Sequence, residues 1–341
     1  MTTPSIFERL ARLRVLRPFA GIFRTLDGIV LGSREETPGA PHILDHIEIK
    51  RYMATVILAL LPAAVAAVVF FGTHALTMIA VSYVAGGVVE VAFALVRKKD
   101  IEEGFLVTGL IFPLVLPPTT PLWVVAVGIV FGVFFGKEVF GGTGRNIFNP
   151  ALVGRLFITI AFPAMMSTQW RLPFADAITS ATPLNLFKAG EALPPLSDLL
   201  FGMAAGSMGE TFRIGIVAGG LLLIATRVSN WRVPVTYLAT VALGSLAASR
   251  FAPSLVAPPL VQLLTGGLLF GALFMATDPV TSPLTKAGKY VFGFGCGAVT
   301  LLIRALSGYA EGVMFSIVFM NAFVPLIDHF ALAAKYPRTT T

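Results

Sequence analysis

The sequence predicts an all-α integral membrane protein of about ten transmembrane helices, arranged as two inverted five-helix halves. Hydrophobic residues make up 56% of the 341 residues and charged residues only 13%, whereas about a quarter of a soluble domain is charged. Apolar runs long enough to cross a bilayer recur along the chain, because a membrane helix needs about 20 such residues. Lysine and arginine are concentrated in alternate connecting segments, as the positive-inside rule requires.

Ten apolar runs are the predicted spans. The third and fourth are short and are separated by the proline-rich turn LPPTTP at 116–121, so broken or tilted helices are an alternative there. The ten lie near 52–71, 76–96, 104–117, 121–136, 147–164, 213–229, 233–250, 260–276, 289–306 and 311–334.

The distribution of positive charge predicts the orientation. With the N-terminus in the cytoplasm and ten alternating spans, 19 of the 25 lysines and arginines fall in cytoplasmic segments. Both termini are therefore expected in the cytoplasm, and the long loop 165–212 on the outer face. The enrichment of lysine and arginine in cytoplasmic segments also explains the net charge of +7. No basic patch interleaved with aromatic residues points to a nucleic acid partner.

The loop 165–212 divides the predicted spans equally, into a first half at 52–164 and a second half at 213–334. Segments 1–51 and 335–341 are the expected cytoplasmic N-terminal segment and tail. Two related halves with an odd number of helices must have opposite orientations, which would place a site at the midplane between them.

Cofactor classes can be excluded from the sequence. The single cysteine, Cys296, excludes a disulfide framework and an Fe–S cluster held by this chain alone. None of the four histidines has a predicted partner on a facing span, so a bis-histidine haem is not expected, and no metal site is predicted. A dinucleotide-binding fingerprint is absent, since GGTGRN at 141–146 does not match G-x-G-x-x-G.

A threonine in the outer loop is the most specific candidate site. The segment DAITSAT runs from Asp176 to Thr182 and is followed by a Pro-Leu pair. Small neighbours leave the Thr182 hydroxyl approachable, and a nearby carboxylate can assist its esterification. Taken alone, the segment is more typical of an ordinary Ser/Thr-rich turn in which the aspartate is a cap.

This segment resembles the D-x-x-[ST]-[GS]-A-T signal at which a flavin transferase links FMN to threonine through a phosphoester. That signal occurs in the B subunit of the Na⁺-translocating NADH:quinone oxidoreductase and in the D subunit of the related Rnf complex. Further segments similar to this family extend over roughly residues 40–330: APHILDHIEIKR, EGFLVTGLIFPLVLPPTTPLW, FGKEVFGGTGRNIFNPALVGR, GSMGET, FMATDPVTSPLTKAGK and YAEGVMFSIVFMNAFVPLIDH.

The resemblance implies covalent FMN on Thr182, with Asp176, Thr179, Ser180 and Ala181 as the motif that the transferase recognises. It also implies a non-covalent riboflavin, electron transfer to ubiquinone and coupling to sodium ion transport in the bacterial inner membrane. The NADH site, FAD and Fe–S centres would belong to other subunits of a six-subunit complex. EGFLVTG and GKEVFGGTGRN favour the quinone reductase subunit, and the D subunit of the Rnf complex is the alternative.

The expected riboflavin site lies in GGTGRNIFNP at 141–150. Glycines such as Gly142 allow a flat ligand to approach the backbone, and Asn146 and Asn149 are spaced to face one side at a helix start. Side-chain amides offer donors and acceptors that suit a flavin ring edge. The alternative interpretation is a helix cap and a turn.

The remaining candidates are ionisable groups at membrane depth. Gly86, Gly87 and Glu90 lie in the second span, where the family resemblance implies quinone binding; close helix packing is the alternative. An intramembrane carboxylate is a functional candidate by default. As ion-pathway candidates we list four acids, for which capping or pairing with Arg304 or Lys286 is the alternative: Glu210, Asp278, Glu311 and Asp328.

A function of another class fits the same architecture. Two inverted halves are also typical of a channel for a small neutral solute such as urea. Retention of a yellow flavin on the denatured polypeptide distinguishes the redox subunit from such a channel.

Overall fold

The structure, a computed structural model, describes residues 49–98, 104–167, 170–175, 178–179, 181–309 and 311–336. At 49–50 and 178–179 only the backbone is described. Nearly all regular structure in these ranges is helical, which confirms the predicted all-α class. The predicted motif residues Asp176 and Ser180, and most of the expected N-terminal segment, lie outside the described residues.

The first half contains five helices that follow the predicted apolar runs. Pro113 lies at the end of the third helix and Pro121 immediately precedes the fourth, because proline interrupts the helical hydrogen-bond ladder. A short 3₁₀ turn, Glu138–Phe140, follows the fourth helix. The helices are α1 (Ile49–Phe71), α2 (Thr73–Arg97), α3 (Gly104–Leu114), α4 (Leu122–Gly136) and α5 (Pro150–Ala161).

The connecting segment contains short elements only. Its two strands, β1 (Trp170–Arg171) and β2 (Ile178–Thr179), pair antiparallel, with Trp170 opposite Thr179. Three short helices accompany them: α6 (Pro163–Ser167), α7 (Pro183–Ala189) and α8 (Leu196–Phe201).

The second half again follows the predicted runs, with one interruption. The run 260–276 is divided by Gly266 and Gly267, both with positive φ, and its C-terminal part continues as a π-helical turn, Gly271–Met275. The helices are α9 (Arg213–Ala225), α10 (Arg232–Phe251), α11 (Pro259–Leu264), α12 (Leu268–Phe270), α13 (Lys286–Leu306) and α14 (Val313–Lys335).

The predicted count of ten spans is not confirmed. Within the described residues, five helices are long and apolar enough to cross a membrane: Arg51–Phe71, Thr73–Arg97, Leu122–Phe140, Lys286–Leu306 and Val313–Lys335. Three further apolar helices, α3, α5 and α9, have only 11, 12 and 13 residues, less than the roughly 17 that a span needs. The apolar runs of the sequence are therefore longer than the helices that form within them.

Corresponding helices of the two halves make corresponding contacts. In the first half α2 packs against α3 and α4, and α4 packs against α5. In the second half α10 packs against α11 and α13, and α13 packs against α14. The halves meet where α1 contacts α9 and where α5 contacts α14.

Glycines bring α4 and α5 together. A Cβ atom placed on Gly136 would lie 2.9 Å from Pro150 Cα, and one on Gly154 would lie 2.5 Å from Gly128 O. Small residues at such crossings allow the close packing on which helix association in a membrane depends. This crossing fixes the position of α5, which begins after Asn149 and carries Arg155 in its middle.

Candidate functional sites

Thr182 is the N-cap of α7. Its Oγ1 accepts a hydrogen bond of 3.4 Å from the backbone N–H of Asn185, and Pro183 occupies the first helical position. Threonine is a preferred N-cap residue, and proline is preferred directly after it because its missing N–H has no helical partner there. The side chain is half-buried, so the hydroxyl stays partly accessible.

A cavity of about 290 Å³ adjoins this hydroxyl. Its volume is close to the lower end of the range for ligand pockets, about 300 Å³. We call it the Thr182 cavity. Its wall combines apolar side chains with charged ones, and the residues used below are Arg155, Thr182, Glu210, Gly266 and Glu311.

Arg155 and Glu311 form an ion pair in the wall of the Thr182 cavity. Arg155 Nη2 lies 2.5 Å from Glu311 Oε2, and Nη1 lies 3.4 Å from Oε1. The pair connects α5 with the start of α14. A two-point contact of this kind fixes the plane of the guanidinium group, but Arg155 Nε is buried without a hydrogen-bond partner in the described chain.

Two further buried arginines lie close behind the wall. Arg304 donates to Gln262 O (2.8 Å), Gln262 Oε1 (2.7 Å), Thr265 O (2.9 Å) and Gly266 O (3.2 Å). Arg213 donates to the backbone carbonyls of Leu199 and Leu264. Neither guanidinium group has a carboxylate oxygen within 4.0 Å among the described residues.

Glu210 is a buried carboxylate near Glu311. A Cβ atom on Gly267 would lie 2.8 Å from Glu311 Oε1 and 3.0 Å from Glu210 Oε2, so both side chains reach the same glycine. Glu210 Oε2 has no hydrogen-bond partner within the described ranges. Burial, and then the nearby Glu311, raise the pKa of Glu210 above its ordinary value.

These residues fit a phosphoester at Thr182. Thr182 lines a cavity whose wall also contains Arg155, and arginine is well suited to phosphate, although both Nη atoms of Arg155 are paired with Glu311. Ala181, which precedes Thr182, is half-buried. Thr179 lies in β2, where only its backbone is described.

Asn146 and Asn149 line a second, smaller cavity, here called the Asn149 cavity. Asn149 caps α5, because its Oδ1 accepts from the N–H of Ala151 at 3.1 Å and of Leu152 at 3.4 Å. The Nδ2 of Asn146 donates to Phe148 O at 3.0 Å. Asn149 therefore has the capping role that was the alternative interpretation of this motif, and both asparagines also line one cavity.

The donor set of the Asn149 cavity fits a flavin edge, but its volume does not. The cavity has about 70 Å³, roughly the space of two water molecules in the liquid. Gly141, Gly142 and Gly144 have positive φ values of 116°, 101° and 86°, which a turn requires of glycine. Gly142 is not part of the cavity wall.

The ion-pathway candidates occupy three separate places. Glu210 and Glu311 meet at the Thr182 cavity. Asp278 lies in the Asn149 cavity, where its Oδ2 is 3.5 Å from Asn149 Nδ2 and its Oδ1 accepts from Val280 N at 3.1 Å. Asp328 caps the start of α13 by accepting from Leu284 N (2.8 Å) and Thr285 N (3.0 Å). Burial raises the pKa of Asp278.

Glu90 belongs to a chain of alternating charges. Its Oε1 lies 2.5 Å from Lys137 Nζ, Lys137 lies 3.9 Å from Glu138, and Glu138 lies 2.7 Å from Arg97. Lys137 also lines the Asn149 cavity. The chain therefore connects the predicted quinone region on α2 to the predicted riboflavin region.

Gly86 and Gly87 differ in their surroundings. A Cβ atom on Gly86 would lie 2.7 Å from Phe105 Cε2 and 2.9 Å from Ile129 Cγ1, whereas one on Gly87 would have an ordinary contact of 3.5 Å with Phe105. Close packing therefore accounts for Gly86. Quinone binding at these two glycines stays a prediction.

Comparison with known proteins agrees with the motifs. The sequence matches the NQR2, RnfD, RnfE family over residues 36–336. The chain belongs to this family. Curated relatives include subunits B of Na⁺-translocating NADH-quinone reductases. The protein from Pseudomonas paraeruginosa is 44% identical over 272 residues, covering 75% of this chain and 66% of its own length. The one from Chromohalobacter salexigens is 35% identical, covering 94% and 90%. The resemblance seen in the sequence is thereby confirmed, although this chain aligns with slightly less than two thirds of the first of these relatives.

Several residues of this family member were missed as site candidates. Arg155 lines the Thr182 cavity, Arg213 and Arg304 lie behind its wall, and Lys137 connects the predicted quinone and riboflavin regions. A signal for two of them was present, because Arg155 and Arg304 lie within apolar runs, where a charged residue is expensive and marks a function. Their partners, which are mostly backbone carbonyls, leave no pattern in the sequence.

Proposed function

We propose that this chain is the membrane redox subunit of a Na⁺-translocating NADH:quinone reductase and carries covalent FMN on Thr182. The observation that carries the proposal is the cavity of about 290 Å³ beside that hydroxyl, at the acceptor position of the flavin-attachment motif. Family membership and the names of the relatives support it. The other subunits of the complex, sodium ion, ubiquinone and a flavin transferase are the expected partners, and a bacterial inner membrane is the expected location.

The chain's own residues have distinct roles in this proposal. Thr182 supplies the ester oxygen, and the segment 176–181 is the recognition motif. Asn146 and Asn149 hold a riboflavin edge, and Glu90 with its glycine-lined helix face contacts the quinone. Bound flavins supply the electron chemistry, while the protein controls position and electrostatic environment. Sodium transport is coupled to these electron transfers.

The test of the proposal is replacement of the acceptor hydroxyl. Thr182→Val keeps the shape of the side chain and removes the ester oxygen, so covalent FMN should be lost completely. Ser180→Ala is the matched control and should retain most of the attachment, while Asp176→Ala should reduce it by weakening transferase recognition. Intact mass and in-gel flavin fluorescence are the measurements. An FMN-sized mass increment that survives in Thr182→Val contradicts the assignment.

The same measurement separates the alternatives. A wild-type chain without any bound flavin would favour the urea-type channel. The D subunit of the Rnf complex, which the matched family also includes, would carry FMN as well. Purification with neighbouring subunits, followed by an assay of Na⁺-stimulated quinone reduction, separates these two redox functions.

We also propose that the chain crosses the membrane ten times as two inverted halves, with both termini in the cytoplasm. The corresponding helix contacts within the two halves support this arrangement. So do contacts between loops assigned to one side: Lys188 donates to Ser307 O and Tyr309 O, each at 2.8 Å, and His74 Nε2 lies 3.1 Å from Thr120 O. Cysteines introduced at Lys188 and Lys98 should react with an impermeant thiol reagent from opposite sides, and labelling from one side contradicts the topology.

A further inference from the structure

The charged residues around the Thr182 cavity do not cancel. Three arginines, Arg155, Arg213 and Arg304, are 5%, 3% and 2% exposed. Two glutamates, Glu210 and Glu311, face them. With every group ionised, the described part of this cluster has one positive charge in excess, and it has two if Glu210 is protonated.

The excess is located on arginines that have no carboxylate oxygen within 4.0 Å among the described residues. Arg304 and Arg213 are held by carbonyl oxygens and a glutamine, which accept hydrogen bonds from most of their N–H groups but do not neutralise their charge. A buried charge without a counter-charge is strongly disfavoured. An anion near this cluster would therefore stabilise it.

The cluster also contains buried N–H groups without a hydrogen-bond partner among the described residues. Arg155 lines the cavity, and its Nε is buried with no hydrogen-bond partner in the described residues; the same is true of Arg304 Nε. Arg304 further binds the carbonyl of Gly266, which is part of the cavity wall. Thr182 lines the same cavity as Arg155, and Arg304 lies behind the part of the wall that Gly266 forms.

We propose that Arg155, Arg213 and Arg304 form the counter-charge for the phosphate of the flavin on Thr182, with Arg155 as the positioning residue at the cavity wall. This inference rests on the proposed covalent attachment. A phosphodiester carries one negative charge, which matches the excess of the fully ionised cluster. The same arginines then favour reduction of the attached flavin, since reduction adds negative charge to it.

The experiment measures the reduction potential of the covalent flavin in the purified full-length chain by spectroelectrochemical titration. Arg155→Gln should lower the reduced-to-oxidised ratio at a fixed potential by about tenfold, the effect of one unit charge at about 12 Å with an effective dielectric constant of about 20. Glu311→Gln should raise the ratio by a similar factor. Arg155→Lys keeps the charge and should stay close to wild type.

Two controls separate charge from structure. Arg155→Gln combined with Glu311→Gln removes one charge of each sign and should return the ratio to wild type, even if Arg155→Gln alone folds poorly. Arg250→Gln changes the net charge equally on an exposed residue, where solvent screens it, and should have little effect.

The outcomes are distinguishable from failure of the proposed function. Covalent FMN is quantified by mass in every variant, and its absence from the wild-type chain refutes the attachment at Thr182 itself. If FMN is present but its potential does not follow the order Glu311→Gln, wild type, Arg155→Gln, the arginine cluster is not its counter-charge. In that case Arg155 only holds α5 against α14.

Discussion

Buried charges are balanced near the Asn149 cavity and unbalanced near the Thr182 cavity. Near the Asn149 cavity, Glu90, Lys137, Glu138 and Arg97 alternate in sign and cancel. Near the Thr182 cavity, only Arg155 has a carboxylate partner, while Arg213 and Arg304 have none among the described residues. The two cavities also differ in volume, about 70 Å³ against about 290 Å³.

The difference shows how buried charge can be interpreted. A chain of ion pairs whose charges cancel needs no ligand. Breaking it should therefore first lower the stability of the folded protein. A cluster with excess positive charge beside a cavity needs an anion to balance it. Changing its charge should therefore first alter the properties of the group bound in that cavity. Variants of the two clusters should therefore give different kinds of effect.

The largest effect is expected from breaking the cancelled chain. Lys137→Met leaves the buried carboxylates of Glu90 and Glu138 facing each other without the ammonium group between them. Removing one partner of a buried ion pair typically costs about 3–5 kcal/mol. The thermal unfolding midpoint of the purified protein in detergent should fall strongly, whereas its covalent FMN content per folded chain should not change.

The matched control is the combination of Glu90→Gln with Lys137→Gln. Because this pair removes both charges, it should recover much of the lost stability. Equal losses in the single and double variants would mean that Lys137 acts through packing, and the contrast between the two cavities would then not be one of charge.

A smaller effect is expected at the asparagines. Replacing Asn146 and Asn149 by leucine removes hydrogen-bonding groups, at about 1–3 kcal/mol each if they bind a flavin ring. Riboflavin measured after acid extraction should fall, while FMN on Thr182 stays. Loss of the cap at Asn149 adds about 1 kcal/mol of helix destabilisation.

Asn149→Ser distinguishes ligand binding from capping. Serine is as good an N-cap as asparagine but has no amide to offer a ring edge. Riboflavin loss in Asn149→Ser at unchanged thermal stability supports the binding role. Full retention of riboflavin in both the serine and leucine variants would leave Asn149 as a cap only.

Helix positions could be predicted from the sequence more reliably than helix lengths. Every predicted apolar run contains a helix, because apolar composition determines which segments avoid water. Composition does not determine where a helix ends. Pro113 lies at the end of the third helix, Pro121 precedes the fourth, and positive φ at Gly266 and Gly267 interrupts the eighth run. Fewer helices than predicted are therefore long enough to cross a membrane.

The candidate sites were predictable in proportion to their local sequence signals. Thr182 belongs to a contiguous motif, and Asn146 and Asn149 are three residues apart at a helix start, so both could be selected. The Arg155–Glu311 pair joins residues 156 positions apart. Lys137 and Glu90 are separated by 47 positions. Only the packing of the helices brings such pairs together.

The smallest predicted effect concerns Asp278, the acid of the Asn149 cavity. Burial raises its pKa in the folded chain above the ordinary value of about 3.9. A folded state that binds the proton more tightly than the unfolded state loses stability as pH rises from the ordinary pKa through the raised one. Asp278→Asn removes this titration and keeps an acceptor for the N–H of Val280. The variant should therefore match or exceed the wild type in thermal midpoint at pH 7, with the gap narrowing towards pH 4. If the wild type instead gains stability over the variant as pH rises, the ionised carboxylate of Asp278 has a counter-charge in the Asn149 cavity. The contrast in charge balance between the two cavities would then have to include that counter-charge.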